Sequence, residues 1–277
     1  MKFTKMHGCG NDYVYVNAME NEVRNPEQVA VKVSDRHFGI GSDGLILICD
    51  SDVADFRMRM FNADGSEGKM CGNGVRCIAK YVYDNKLTDK TEISLETLGG
   101  IKYLKLQVEK GKVTQVTVDM GEPVLDGLLI PVMIDKNPVV SEPIMIQDQR
   151  YEMTCVSMGN PHAVVLVEDT EKFPIEQVGP FFEKNSVFPE GVNTEFVQVL
   201  SPSEIHMRVW ERGSAETMAC GTGACASVVA CFLLGVTGRE VTVHLLGGDL
   251  KIRYDEESNH VFMTGPATTV FEGEIDV

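Results

Sequence analysis

Shifted by 149 positions, this sequence lies on itself without gaps from Gly10 to Gly74. Gly10-Asn11 falls on Gly159-Asn160, Val16 on Val165, Glu27-Gln28-Val29 on Glu176-Gln177-Val178, and Met58-Arg59 on Met207-Arg208. Cys71-Gly72 falls on Cys220-Gly221 and Gly74 on Gly223, and the register slips only near Gly99-Gly100 and Gly247-Gly248. An offset held that long marks a duplication. The 277 residues are therefore expected to form two similar domains, and 43 % hydrophobic residues give each a core to close.

Each half carries the same succession of signals, which sets the class as α/β (α+β). The strands YVYV (13–16) and AVVLV (163–167) come first. A helix signal follows in NPEQVAVKVSDRH, with Asn25 as the N-cap and Pro26 at the first helical position. The alternating strands RMRMF (57–61) and HMRVW (206–210) precede a Cys-Gly-X-Gly turn and a helix, and IKYLKLQV (101–108) and LKIRY (250–254) close the halves. Residues 121–149 hold four of the eleven prolines and read as the crossover. DSDVAD (50–55) lacks the Gly and terminal Glu of a calcium loop and reads as a solvated turn.

The eight cysteines do not form a metal or disulfide pattern. Cys71 and Cys77 lie six apart, Cys220 and Cys225 five, and the six histidines show no HExxH or His-x-His spacing, so no metal site is expected. Cys49, Cys155 and Cys231 lie in apolar runs and read as small core residues. Cys71 and Cys220 are different, because each opens a helix and is flanked by glycine: MCGNGVRCIAKYVY (70–83) and ACGTGACASVVACF (219–232). The first helix has one apolar face, Val75, Ile78, Ala79 and Val82, while the second is apolar nearly all round and is expected to be buried. A helix start offers free N–H groups and partial positive charge, which bind a carboxylate and draw a thiol pKa from about 8.5 toward neutrality.

Two such helices aimed at one anionic ligand would bring a thiol to each of its faces if the halves are related by a pseudo-twofold axis. Inversion at a carbon bearing an acidic hydrogen needs one base on one face and one acid on the other, and a thiol serves as either. One cysteine of this kind reads as a core residue; two at equivalent positions read as chemistry.

The motifs GCGNDYV (8–14), CGNGVRC (71–77), MGNPHAV (158–164) and ERGSAETMACGTGACA (211–226) resemble those of the diaminopimelate epimerase family over essentially the whole chain. The resemblance implies a cofactor-independent (PLP-independent) epimerase that interconverts LL- and meso-diaminopimelate in lysine and peptidoglycan-precursor biosynthesis. It implies two domains, each a curved mixed sheet wrapped around a central helix, with the last strand returning to the first domain: 1–117 with 263–277, and 118–262. Cys71 and Cys220 match the catalytic thiols. Gly72-Asn73 and Gly221-Thr222 match the helix-start residues that hold the reacting carboxylate. Asn11, Asn62, Asn160, Asn193, Glu211 and Arg212 match residues that grip the rest of the substrate, with Arg212 suited to clamp the distal carboxylate. His162 resembles the family histidine beside the site, which orients a group or passes a proton. Where some members carry Gln this chain has Gly44, so one polar contact is left to water or backbone.

A net charge of −16, from 25 basic and 41 acidic residues, sets the chain against nucleic-acid and anionic-membrane partners. The segment MKFTKMHGCGNDYVYV has no apolar signal region and no run reaches membrane-span length, so a cytoplasmic protein is expected, and a homodimer by family resemblance. The nearest alternatives are a proline or hydroxyproline racemase or a small-dicarboxylate isomerase, which lack the distal grip of Glu211-Arg212. A non-enzymatic anion binder would need no thiols, and a thiol–disulfide oxidoreductase would carry Cys-x-x-Cys, which is absent.

Overall fold

The computed structural model describes residues 1–277. The chain divides into two units, Met1–Asp119 with Thr264–Val277, and Met120–Met263. No helix is long and apolar enough to cross a membrane.

In unit 1 the strands are β1 (Lys2–Gly8), β2 (Asn11–Asn17), β3 (Gly44–Cys49), β4 (Phe56–Asn62), β5 (Glu67–Gly68), β6 (Glu92–Thr97), β7 (Gly100–Glu109) and β8 (Lys112–Asp119). Helix α1 (Pro26–Ser34) joins β2 to β3, and α2 (Gly72–Asp84) follows β5. In unit 2 come β9 (Glu142–Ile146), β10 (Gln149–Ser157), β11 (Pro161–Leu166), α3 (Ile175–Glu183), β12 (Asn193–Ser201), β13 (Glu204–Glu211), β14 (Ala215–Glu216), α4 (Gly221–Leu233), β15 (Glu240–Leu245) and β16 (Gly248–Tyr254). The chain then runs through β17 (Val261–Gly265), and β18 (Thr268–Glu274) belongs to unit 1.

The duplication is visible in the pairing. β1–β2 is antiparallel, β2–β3 parallel and β3–β4 antiparallel. β10–β11, β11–β12 and β12–β13 repeat that order. The 149-residue shift carries α1 onto α3 and α2 onto α4 residue for residue. Each unit has a mixed sheet because the β2–β3 and β11–β12 connections are helical crossovers, which a parallel pair requires. The outer strand beside β1 is β18, from the end of the chain; β9 takes the same place beside β10.

Helix α4 packs against strands β10 to β13 and against β15 and β16, so the sheet of unit 2 curves around it. Its residues from Gly221 to Cys231 are buried, apart from the half-buried Thr222, as the apolar sequence requires; Phe232 and Leu233 are half-buried. Helix α2 packs on β1, β2, β7 and β8. It buries Val75, Ile78, Ala79 and Val82 as expected, but also Asn73, Arg76 and Cys77.

Three local expectations change. Asn25 does precede α1, with Pro26 at its first position, but it lies in the left-handed region (φ 49°) and its side chain makes no cap. Residues 121–149 are more than a crossover: they supply β9, and Ile130, Val132 and Val139 are buried in the unit 2 core. Cys155 and Cys231 are buried as expected, whereas Cys49 is only half-buried. The turn at 50–55 is held by side chains, with Asp55 accepting from the Ser94 backbone and hydroxyl and from Lys90.

Candidate active site

In unit 1 the backbone bends from β5 into α2 at Cys71, which takes the N-cap position with extended dihedrals (φ −130°, ψ 118°). Its sulfur accepts from the Gly74 N–H at 3.4 Å, the bond a Ser or Asp cap would make. The thiol donates to Asn11 Oδ1 at 3.2 Å, and Asn73 Nδ2 donates to the same oxygen at 3.3 Å. The other end of Asn11 donates to Asp43 Oδ2 at 2.8 Å, which fixes how the amide points. Asp43 is itself held by Arg36 at 2.9 Å, and burial followed by the nearby charge of Asp12 pushes its carboxyl above the usual range. Asn73 Oδ1 accepts from Arg76 Nη2 at 2.7 Å, and this fully buried guanidinium also donates to Gly72 O and Pro266 O.

In unit 2 Cys220 takes the same place before α4 (φ −116°, ψ 111°), and its sulfur accepts from the Gly223 N–H at 3.4 Å. Thr222 Oγ1 lies 3.5 Å from it. Glu211, at the end of β13, accepts from the Thr217 hydroxyl and lies beside the Cys220 thiol. Asn160 Oδ1 meets His162 Nε2 at 2.9 Å, and His162 Nδ1 meets Glu195 Oε1 at 2.7 Å. Asn193 Nδ2 donates to Pro161 O and its Oδ1 accepts from the Arg212 backbone N–H at 2.9 Å. The Arg212 guanidinium is exposed and donates to Glu190 O.

The thiol electrostatics depart from the helix-start expectation. Burial pushes Cys220 well above the ordinary thiol range, and the charges of Glu211 and Glu195 push it further. The Thr222 and Gly223 contacts, which act the other way, are outweighed. Partial charge at a helix end falls off within a turn and does not offset a desolvated sulfur between two carboxylates. Cys220 thus carries its proton in this state. Glu211 is also raised, first by burial.

Of the residues singled out from sequence, Cys71, Gly72, Asn73 and Asn11 meet in unit 1. Cys220, Gly221, Thr222 and Glu211 meet in unit 2, with the Asn160–His162 pair tied to Glu195, whose carboxylate reaches Gly223. Glu211 therefore sits against the thiol rather than at a distal position. Asn62 turns to Ser66 Oγ at 3.0 Å, and Arg212 reaches the thiol's neighbours only through its backbone bond to Asn193. At Gly44 a Cβ would lie 2.0 Å from Phe61 O and 2.8 Å from Tyr13, so this backbone admits no side chain there. The adjacent Asp43 accepts from Asn11 Nδ2 at 2.8 Å. Asp43, Arg76 and Glu195 escaped the sequence reading. Glu195 had a signal, because the 149 shift places a charged residue on the apolar Ile46. No group of three or more His, Cys, Asp or Glu side chains converges as a metal site would require.

A family model described as diaminopimelate epimerase matches residues 3–125 and 154–270. A diaminopimelate epimerase of Agathobacter rectalis is 64 % identical over 284 residues, covering 100 % of both chains. One of Methanococcus maripaludis is 60 % identical over 277 residues, also 100 % of both. Among solved structures, a PhzF-family phenazine biosynthesis protein of Bacillus anthracis matches with TM-score 0.72 at 18 % identity, covering 100 % of this chain and 99 % of that one. A probable proline racemase from Agrobacterium radiobacter matches with TM-score 0.72 at 14 % identity, covering 100 % and 93 %. Those two likenesses speak to the fold alone. Identity this high over the full length, on a chain whose duplicated helices both begin at a cysteine, leaves one assignment: the chain belongs to the diaminopimelate epimerase family.

Proposed function

We propose that this protein interconverts LL- and meso-diaminopimelate by a two-thiol proton transfer at the α-carbon, without a cofactor, in lysine and peptidoglycan-precursor biosynthesis. The observation that carries the reading is the equivalence of Cys71 and Cys220. Each sits at an N-cap, each is held by the N–H of the third helical residue at 3.4 Å, and each is followed by glycine.

The chemistry follows from the two helix starts. Free N–H groups of Gly72-Asn73 and Gly221-Thr222 bind the reacting carboxylate, and that charge stabilisation accepts the electron pair left on the α-carbon when its proton departs. One cysteine, as thiolate, takes that proton from one face. The other, as thiol, delivers its own proton to the opposite face, and the C–H electron pair reforms with inverted configuration. Cys220 begins as the donor, because its burial and its two carboxylate neighbours favour the protonated form. Asn11, Asn62, Asn160, Asn193 and Arg212 orient the remainder of the substrate while Glu211 lies against the Cys220 thiol, and Asn side chains suit a zwitterion because they donate to a carboxylate and accept from an ammonium. The working form is a cytoplasmic homodimer.

The test is to incubate purified protein with LL-diaminopimelate and separate the stereoisomers with time. Formation of the meso isomer supports the reading. Cys71→Ala and Cys220→Ala should each lower kcat by at least about a hundredfold, the usual contribution of one acid or base, with the unfolding midpoint held. A wild-type protein that forms no meso isomer, or a single Cys→Ala variant at normal rate, refutes it.

A further inference from the structure

We propose that Glu195 is a positioning residue of unit 2: its buried carboxylate holds the His162 ring by Nδ1, and Nε2 of that ring holds the Asn160 amide by its oxygen, so that the amide NH2 is presented to the ligand.

The geometry is a three-member relay. Glu195 Oε1 lies 2.7 Å from His162 Nδ1, and His162 Nε2 lies 2.9 Å from Asn160 Oδ1. Both the Glu195 and His162 side chains are completely buried, at 0 % exposure. A carboxylate oxygen and an amide oxygen both accept, so a ring that bonds both carries hydrogen on Nδ1 and on Nε2 and donates from each. The Asn160 oxygen is thereby occupied, and its amide hydrogens are left for an acceptor such as a substrate carboxylate.

The duplication says why the carboxylate is there. The 149 shift places Glu195 on Ile46 and His162 on Tyr13. The two side chains occupy the same space: a Cβ added at Gly74 would lie 2.7 Å from Ile46 Cδ1, and one added at Gly223 would lie 2.5 Å from Glu195 Oε1. In unit 1 an apolar side chain does the packing. The fold therefore requires no charge at this position, and burying one is unfavourable unless it is paired. The pairing is also incomplete, since Glu195 Oε2 is buried with no hydrogen-bond partner. A site that tolerates that cost uses the carboxylate for orientation rather than for stability. Around the relay face Cys155 from β10, Glu211 from β13 and Cys220 from the start of α4; the Glu195 charge reaches all three.

The proposal rests on the reading of Asn160 as a substrate contact, and its test separates the two. Glu195→Ile installs the unit 1 residue, and Glu195→Asp withdraws the carboxylate by one methylene. Nitrogen–proton correlation spectra of the His162 ring report which nitrogen carries hydrogen, with or without turnover. The expected result is hydrogen on both ring nitrogens in the parent, with the Nδ1–H lost in both variants. With it, kcat/KM should fall about tenfold or more, mainly through KM, while the unfolding midpoint of Glu195→Ile stays level or rises. A ring signal unchanged in both variants overturns the relay, as does a changed signal with kcat/KM intact. A parent with the Nδ1–H in place but no epimerase activity would overturn the proposed function and leave the relay standing.

Discussion

Replacing Gly74 and Gly223 with alanine, one at a time, compares equivalent positions whose surroundings differ. At Gly74 the new Cβ meets Ile46 Cδ1 at 2.7 Å and Met58 Cε at 2.9 Å, the far ends of two flexible side chains. Overpacking of that kind costs about 1–3 kcal/mol, offset by roughly 0.5–1 kcal/mol for removing a helical glycine. A net loss of about 0–2.5 kcal/mol is expected, with catalysis nearly intact. At Gly223 the Cβ meets Glu195 Oε1 at 2.5 Å and the Cys220 sulfur at 3.2 Å. The oxygen is the one that holds His162 at 2.7 Å, so it cannot retreat without breaking that bond. A charge-assisted bond of about 1.5–3 kcal/mol is then added to the packing cost, for a net of about 1.5–5.5 kcal/mol. The thiol is displaced as well, so kcat/KM should fall by at least about tenfold, or roughly 1.4 kcal/mol. Urea unfolding and steady-state kinetics on both variants decide the matter. Equal losses at the two glycines would show that the carboxylate at 195 gives way as easily as a methyl group, and the rigidity assigned to this corner would be wrong.

Arg212→Lys keeps the charge but loses the planar two-point clamp, so kcat/KM should drop about tenfold to a thousandfold with an unchanged unfolding midpoint; near-normal kinetics would remove Arg212 from the substrate grip. Burial pushes the Cys77 thiol up to about 11 and those of Cys155 and Cys231 up to about 12. The unfolded chain releases these protons above about pH 8.5 while the folded chain keeps them, so stability should fall by up to about 1.4 kcal/mol per pH unit per thiol toward pH 11. Denaturation at pH 8 and 10 should show a shallower slope for Cys155→Ala, and an identical slope would refute the assignment. In deuterated water, early product should carry one solvent deuterium at the inverted carbon while recovered substrate carries almost none; product with substantial retained protium would exclude two separate bases.

Much of the fold was legible because duplication is a statement about sequence register, and register survives into structure. The helices at 26–34 and 72–84 reappear at 175–183 and 221–233 without a shift. The thiols were legible for the same reason. What the sequence concealed is what depends on burial. Arg76 lies in a helix whose apolar stripe is Val75, Ile78, Ala79 and Val82, yet acceptors at Gly72, Asn73 and Pro266 draw it fully inside. Glu211 falls in a surface-like ERG turn, yet lies against Cys220 because β13 ends beside the start of α4. The thiol shift at Cys220 was misjudged in sign, since helix position is written in the chain and desolvation is not.

The departures from symmetry carry a chemical logic of their own. Two identical half-sites would hold two thiols in one protonation state, and inversion requires one with its proton and one without. The backbone of the two helix starts is nearly the same, so the difference comes from burial, partial at Cys71 and full at Cys220, and then from side-chain charge. In unit 1 the first turn of α2 is joined to a buried cation, Arg76, through Asn73 and Gly72; in unit 2 the equivalent positions are Cys225, Thr222 and Gly221. In unit 2 the thiol lies between Glu195 and Glu211; in unit 1 the equivalents are Ile46 and Asn62. A cation is thus built into one helix start and two carboxylates beside the other. Burial and then the two carboxylates keep the Cys220 proton in place. On the two-thiol mechanism proposed above, each turnover exchanges the protonation states of the two thiols and so readies them for the reverse direction.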